Sequence, residues 1–221
     1  MAGCESAPIV SRVERVPRRS EYLLRLSDGS DLRILKEHLS QFGIEEGRRI
    51  SQQTILEVRF AYDYAKARQH TLRLLKTRPR TEGELRKDFA RRSIPAVISD
   101  RLIDDLKHEG LIDDRLFAEL WIKEKIGRGT SGKKRILSDL QAKGINRAIL
   151  EEELAEKYSD AKEVEIARGL ASKRLARLED LPAGVRRRRV YNYLLGRGFG
   201  SDVAAEATGF ALESLSMEGS S

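Results

Sequence analysis

The chain has 221 residues, of which 40% are hydrophobic and 35% charged, a composition typical of a folded globular protein rather than a disordered one. No apolar run approaches the roughly 18 residues of a membrane-spanning helix, and no signal-peptide pattern is present, so we expect a cytoplasmic protein without membrane contacts. The formal net charge is +7, and the only cysteine, Cys4, excludes an internal disulfide and a cysteine metal cluster.

Strand patterns occupy the first part of the chain. β-branched and leucine-rich segments are separated by Pro17 and by an Asp28-Gly29 pair, which suits a tight hairpin turn. A short helical pattern ends at Gly43, and Ser51 or Thr54 can cap the helix that follows. We therefore predict a small antiparallel sheet with strands at 9–16, 22–26 and 31–35, then a short helix at 36–42.

From Arg59 onward the sequence is helical, and one unit recurs three times with offsets of 51 and 54 residues. Each copy has an apolar pair four residues apart, a Gly or Ser stop with an apolar residue after it, and another helix. The copies run Leu85, Phe89, Ser93, Ile94, Ile98; Ile136, Leu140, Gly144, Ile145, Ile149; and Val190, Leu194, Gly198, Phe199, Val203. Such periodicity is typical of stacked helical repeats, whose extended surfaces favour binding over catalysis.

The predicted fold is mainly α, with three tandem three-helix repeats in a curved array behind a small β-rich N-terminal domain. The predicted helix-opening residues are Thr81 with Glu84, Pro95, Asp113 with Asp114, Asn146 and Ser201. The predicted boundaries are 1–58 for the β-rich domain, 59–110, 111–158 and 159–211 for the repeats, and 212–221 for a frayed tail.

The positive charge belongs to the helical part. Residues 1–58 contain nine basic and nine acidic residues, so the whole excess follows them. Residues 128–143 carry five basic residues against one acidic, and 183–197 carry five against none, whereas the helices after them are acidic. This recurrence favours a basic ridge that binds nucleic-acid phosphates beside an acidic flank, and the alternative is a set of solvated faces with local salt bridges.

The candidates for a nucleic-acid or filament-binding face follow from that recurrence. Because each helical step rotates by about 100°, only about two of Arg186–Arg189 can face one partner. The candidates are Arg86, Lys87, Arg91, Arg92, Arg128, Lys133, Lys134, Arg135, Arg186, Arg187, Arg188 and Arg189.

Residues for catalysis are scarce. The histidines His38, His70 and His108 are far apart without metal-ligand spacing, so we expect surface or helix-end positions, and we predict no enzyme, metal or cofactor. The aromatic residues Phe89, Phe117, Trp121 and Tyr191 fall at apolar positions, which favours a core role over base stacking.

Gly127–Lys133 matches the first seven positions of a P-loop. Lys134 stands where that motif needs Ser or Thr for magnesium, and a helix rather than a strand comes before it, so nucleotide binding is rejected. Two interpretations of this segment stay open. It is a flexible helix connector, or its glycines bring backbone N–H groups at a helix N-terminus close to a nucleic-acid phosphate.

Four blocks of the sequence resemble the signature segments of the RecX family, bacterial regulatory proteins that bind the RecA recombinase. The resemblance covers about residues 60–209, and its most specific part is the Gly-Leu-Ile-Asp-Asp stretch. The blocks are 80–86, 109–118, 143–145 and 191–199. The strand-rich N-terminal region is similar to an extension that some family members carry.

The resemblance implies three tandem three-helix units and a regulatory role in homologous recombination, DNA repair and the SOS response. It implies binding to the RecA filament on single-stranded DNA and inhibition of its extension, ATPase, strand exchange and coprotease activity. We expect a monomer, because the sequence has no coiled-coil seam.

Two other functions stay open at this point. Three-helix units can present a helix to the major groove, so a helix-turn-helix-like transcriptional regulator that binds duplex DNA is the alternative. The spread of basic residues over three units argues against it. A protein scaffold whose charge serves only solubility is the third possibility.

Overall fold

A computed structural model of the chain describes residues 7–218. Within this range, three strands are followed by ten helices, and no helix is long and apolar enough to cross a membrane. The elements are β1 (Val10–Arg15), β2 (Glu21–Leu26), β3 (Asp31–Leu35), α1 (Lys36–Gln41), α2 (Gln52–Thr77), α3 (Glu82–Arg91), α4 (Ala96–His108), α5 (Asp114–Arg128), α6 (Lys133–Ala142), α7 (Arg147–Lys157), α8 (Asp160–Leu175), α9 (Ala183–Gly196) and α10 (Ser201–Glu218). The predicted fold class, mainly helical repeats behind a small β-rich domain, is confirmed.

The three strands form one antiparallel sheet in the order β1-β2-β3. Gly29 has a φ of +82°, as the hairpin turn between β2 and β3 requires. Ser51 accepts a hydrogen bond from the Thr54 N–H, which decides between the two predicted caps. Helix α2 then runs unbroken to Thr77, across the boundary predicted between residues 58 and 59.

A buried carboxylate joins this sheet to α2. Glu21 on β2 is 3% exposed and accepts hydrogen bonds from the Tyr62 hydroxyl at 3.0 Å and the Lys66 ammonium at 2.8 Å. The hydrogen bond from Lys66 lowers the pKa of Glu21, against the opposing effect of burial. Ionic bonding therefore holds the start of the helical part on the sheet.

The described residues fall into two compact units, one of residues 7–78 with 86–111 and one of residues 79–85 with 112–218. In the first unit α2 packs on α4, and the Tyr64 hydroxyl donates to Asp105 at 2.6 Å. His70, predicted at the surface, instead has a side chain only 15% exposed, with its Nε2 2.7 Å from an Asp88 carboxylate oxygen. That expectation was wrong because Asp88, 18 residues later, supplies a partner that no local motif reveals.

Two separate hydrophobic cores lie in the second unit. One is formed by α5, α6 and α7 and the other by α8, α9 and α10. Phe117 and Trp121 stack on each other at 5.9 Å and pack against the first of these cores, and Tyr191 packs against the second. Phe89, in the other unit, is 1% exposed. All four aromatic residues thus serve as packing groups.

The recurring Gly or Ser stop ends the middle helix of each repeat in the left-handed conformation. Ser93, Gly144 and Gly198 have φ angles of +54°, +85° and +84°. In each case the next residue's N–H donates to the carbonyl five positions back. These bonds are Ile94 to Phe89 (3.0 Å), Ile145 to Leu140 (3.3 Å) and Phe199 to Leu194 (3.2 Å). The repeated sequence pattern is therefore a Schellman-type helix end.

Two of these stops also form close backbone contacts with the start of another middle helix. A Cβ on Gly83 would lie 2.6 Å from the Gly144 Cα, and a Cβ on Gly132 would lie 2.5 Å from the Gly198 carbonyl oxygen. We call these two contacts the glycine joints. Both lie within the second unit, and the first explains why Gly83 is tolerated in a helix that Ala would otherwise favour.

Hydrogen bonds accompany each glycine joint. The Thr81 hydroxyl donates to the Lys143 carbonyl at 2.6 Å, and the Gly132 N–H donates to the Arg197 carbonyl at 3.1 Å. Residues 79–85 therefore pack with the second unit.

The end of the chain is helical to Glu218. Helix α10 thus includes residues 212–218 of the segment predicted to fray, and the rest of that segment, 219–221, lies outside the described residues.

Candidate nucleic-acid interface

The N-terminus of α6 is closed to phosphate by contacts within the protein. The Lys133 N–H donates to the Glu163 carboxylate at 2.7 Å, and the Lys134 N–H donates to the Gly198 carbonyl at 3.1 Å. Glu163 is only 6% exposed. The idea that this glycine-rich segment offers its N–H groups to nucleic acid was therefore wrong, because a carboxylate of α8 and the glycine joint already occupy them.

A matching carboxylate caps α3. The Glu82 N–H donates to the Asp114 carboxylate at 2.9 Å, whereas Asp113 caps α5 itself. Asp114 and Glu163 thus cap a helix other than their own, a role that sequence spacing could not reveal because the partners lie about 30 residues apart.

Half of the twelve predicted basic residues are paired with carboxylates. Lys133 pairs with Asp160, whose pKa it lowers by hydrogen bonding, and its ammonium lies 5.7 Å from the Tyr158 ring centre. Lys87 also has a contact within the protein. The other pairs are Arg86 with Asp100, Arg91 and Arg92 with Asp88, Arg128 with Glu124, and Arg135 with Asp139. For these positions the local salt-bridge alternative describes the structure.

The arginines of α9 differ from these paired residues. Arg187, Arg188 and Arg189 are exposed, and among the described residues none of them has a hydrogen bond or ion pair from its side chain. Lys134 is likewise exposed and has no hydrogen bond or ion pair within that range, but it lies near Asp202, whose pKa is lowered by a hydrogen bond from Ser201 and by the Lys134 charge. No acidic residue occurs in α9 to neutralise the charge. The strongest uncompensated positive charge among the candidates therefore lies on this helix.

The four consecutive arginines of α9 line two different recesses. Val190 and Leu194 are fully buried, and this fixes which way the remaining positions point. The polar recess, of about 450 Å³, is lined by Gly184, Val185, Arg188, Arg189 and Asn192. The apolar recess, of about 480 Å³, is lined by Ala183, Gly184, Arg186, Arg187, Leu212 and Leu215.

The polar recess has the chemistry of a phosphate contact. Two adjacent guanidinium groups offer planar donor pairs that match phosphate oxygens, and Asn192 adds an amide. No aromatic side chain is among its lining residues, so base stacking has no platform there. The arrangement suits sequence-independent binding to a nucleic-acid backbone.

Comparison with known proteins identifies the family. Models of the second and third three-helix domains of RecX match residues 113–154 and 161–208. The regulatory protein RecX of Thermobifida fusca (strain YX) is 32% identical over 156 residues, covering 70% of this chain and 83% of the relative. This chain belongs to the RecX family. The RecX of Lactococcus lactis subsp. cremoris (strain SK11) is 28% identical, over 95% of this chain and 77% of its own.

Solved structures agree with this assignment. A crystal structure of regulatory protein RecX superposes with a TM-score of 0.68 at 25% identity, covering 89% of this chain and 96% of that one. The RecX of Lactobacillus salivarius gives a TM-score of 0.63 at 25% identity, covering 69% and 99%. The predicted RecX resemblance is therefore confirmed, and the chain is a member of a family of regulatory proteins.

Proposed function

We propose that this RecX-family chain is a non-enzymatic, monomeric, cytoplasmic regulator that binds the RecA filament on single-stranded DNA. It inhibits filament extension, ATPase, strand exchange and coprotease activity, and so acts in homologous recombination, DNA repair and the SOS response. The proposal rests on the exposed, unpaired arginines of α9, because a regulator of a nucleoprotein filament needs positively charged groups that bind DNA phosphates.

Electrostatics supports this role for Arg188 and Arg189. A free arginine pays no cost of breaking an internal ion pair when it binds a phosphate, whereas Arg86 or Arg135 first has to leave its carboxylate. Binding through the polar recess releases counterions from the DNA, so affinity falls as salt rises. We therefore assign the DNA contact to α9 rather than to the paired cations of α3 and α6.

The duplex-reading alternative makes a different demand on the side chains of α9. A recognition helix needs several side chains that hydrogen-bond to base edges in the major groove. The polar recess offers two phosphate-binding arginines and one amide, Asn192. Arginine and asparagine also bind the edges of guanine and adenine, so this set serves either function. The spread of basic residues over three units and the membership of the chain in the RecX family favour a regulator of the filament over a transcription factor.

The test is the steady-state ATPase of the cognate RecA on single-stranded DNA, with purified protein titrated from far below one copy per RecA. We expect progressive inhibition at substoichiometric ratios, since a protein that binds growing filament ends acts on few sites. Unchanged ATPase at equimolar protein, together with footprinting of a specific duplex site at physiological salt, would replace the proposal with the transcriptional alternative.

A further inference from the structure

The apolar recess lies on the opposite side of α9 from the polar recess and differs from it in having two leucines of α10 in its lining. Leu212 and Leu215 on α10 supply aliphatic surface, and both pack against the core of α8–α10 while remaining partly exposed. Arg187 is exposed and unpaired within the described residues, and the half-buried Arg186 has a buried Nε without a hydrogen-bond partner. Among the described residues that line the recess there is no carboxylate.

From this combination we propose that the apolar recess binds an acidic peptide segment of the protein partner. Carboxylates of that segment pair with Arg186 and Arg187, and a neighbouring aliphatic side chain packs on Leu212 and Leu215. The inference rests on the proposed function, because the partner is then the recombinase itself. A volume of about 480 Å³ accommodates a few side chains and falls in the usual range of about 300–1,000 Å³ for binding pockets.

The lining favours protein over nucleic acid as the occupant. A sugar-phosphate backbone has no aliphatic side chain to cover Leu212 and Leu215, and bases gain most from aromatic platforms, which this lining lacks. An acidic segment with an apolar residue satisfies both halves of the recess at once.

The two recesses let one helix contact two components. DNA phosphates bind on the side of Arg188 and Arg189, and recombinase protein binds on the side of Arg186 and Arg187. Simultaneous contact through a single rigid helix distinguishes a filament from bare DNA or free protein, because only the filament presents both together.

A pair of matched double reversals tests this division. R186E/R187E and R188E/R189E make the same charge change at adjacent positions of one turn of the same helix, on its two different sides. Fluorescence anisotropy measures the affinity of each variant for RecA protein without DNA and for a single-stranded oligonucleotide without RecA. We expect R186E/R187E to lose at least tenfold more affinity for RecA than for the oligonucleotide, and R188E/R189E to show the opposite preference.

Circular dichroism checks that the variants are folded. The milder variant R186Q/R187Q removes the charge without reversing it, and we expect it too to lose more affinity for RecA than for the oligonucleotide. Equal losses of oligonucleotide affinity in both double reversals would assign both recesses to DNA and overturn the inference. Unchanged RecA binding by R186E/R187E would overturn it as well. If the wild-type chain binds RecA neither with DNA nor without it, the proposed function itself fails.

Discussion

At the scale of single residues, Ser93 is the one place where the repeated helix end departs from glycine. Its φ of +54° places a side chain in the left-handed region, where Gly144 and Gly198 stand in the other two copies. The sequence predicted the equivalence of these three positions, because an apolar residue follows each of them. It could not predict whether serine would adopt the glycine conformation, and the structure shows that it does.

We predict that Ser93→Gly stabilises the protein. The substitution removes the strain of a side chain in the left-handed conformation, and it adds the entropy that a glycine loses on folding. We expect the free energy of unfolding to rise by about 1 kcal/mol in balance. Urea denaturation measures the gain. The same substitution at the exposed Ser138, inside α6, is the control and should destabilise by roughly 0.5 kcal/mol, as glycine does in a helix interior. A loss of stability in both variants would contradict the assigned strain.

Glu21 gives a prediction with a pH dependence. Glu21→Gln should reduce the free energy of unfolding at pH 7 by about 2 kcal/mol, because a buried ionic acceptor for Lys66 and Tyr62 is lost. The folded-state pKa lies below the usual value of 4.5, so the unfolded chain takes up the proton first. The stabilisation is therefore complete above pH 4.5 and is lost as the pH falls through the folded-state pKa.

Urea titrations of wild type and variant between pH 3 and 7 measure this difference. The exposed Glu45, whose side chain makes no hydrogen bond within the described residues, provides the control substitution Glu45→Gln, for which we expect no change. A Glu21→Gln effect that stayed constant down to pH 3 would exclude the ionic origin.

At the scale of elements, local signals specified the helices and strands well. The caps Asp113, Asn146 and Ser51 act as their sequence positions indicate. The glycine joints could not be predicted, because Gly83 and Gly144 are 61 residues apart and neither looks unusual alone. Local sequence shows where a helix ends, whereas a close approach of two backbones depends on how distant segments pack.

The glycine joints give an element-scale prediction. Gly83→Ala and Gly132→Ala should each destabilise by about 1–3 kcal/mol, because the added methyl group meets backbone that has no room to move. Gly127→Ala, inside α5 with nothing within 4 Å of the new Cβ, is the matched control and should be neutral or stabilising. Thermal denaturation compares the three. If Gly83→Ala and Gly132→Ala changed the melting temperature no more than Gly127→Ala does, the glycine joints would not be tight contacts.

At the scale of the whole molecule, composition predicted an excess of positive charge but not which charges are free. The runs at 128–135 and 186–189 look alike in sequence, yet Arg128, Lys133 and Arg135 are paired while Arg187, Arg188 and Arg189 have no partner among the described residues. Pairing depends on carboxylates that folding brings near, such as Asp160 beside Lys133. The family resemblance indicated the partner, and the proposed DNA contact through α9 rests on these unpaired charges.

The deciding measurement is the salt dependence of binding to the RecA filament on single-stranded DNA for three proteins: wild type, R188E/R189E, and a control, K123E/R147E. The control makes the same charge change at exposed residues that are paired with Glu119 and Glu151. We expect R188E/R189E to bind at least roughly tenfold more weakly, with a slope of log affinity against log salt reduced by about 1.4, the value for two lost phosphate contacts. The control should stay close to wild type. Equal slopes and affinities for R188E/R189E and the control would contradict a filament contact through α9.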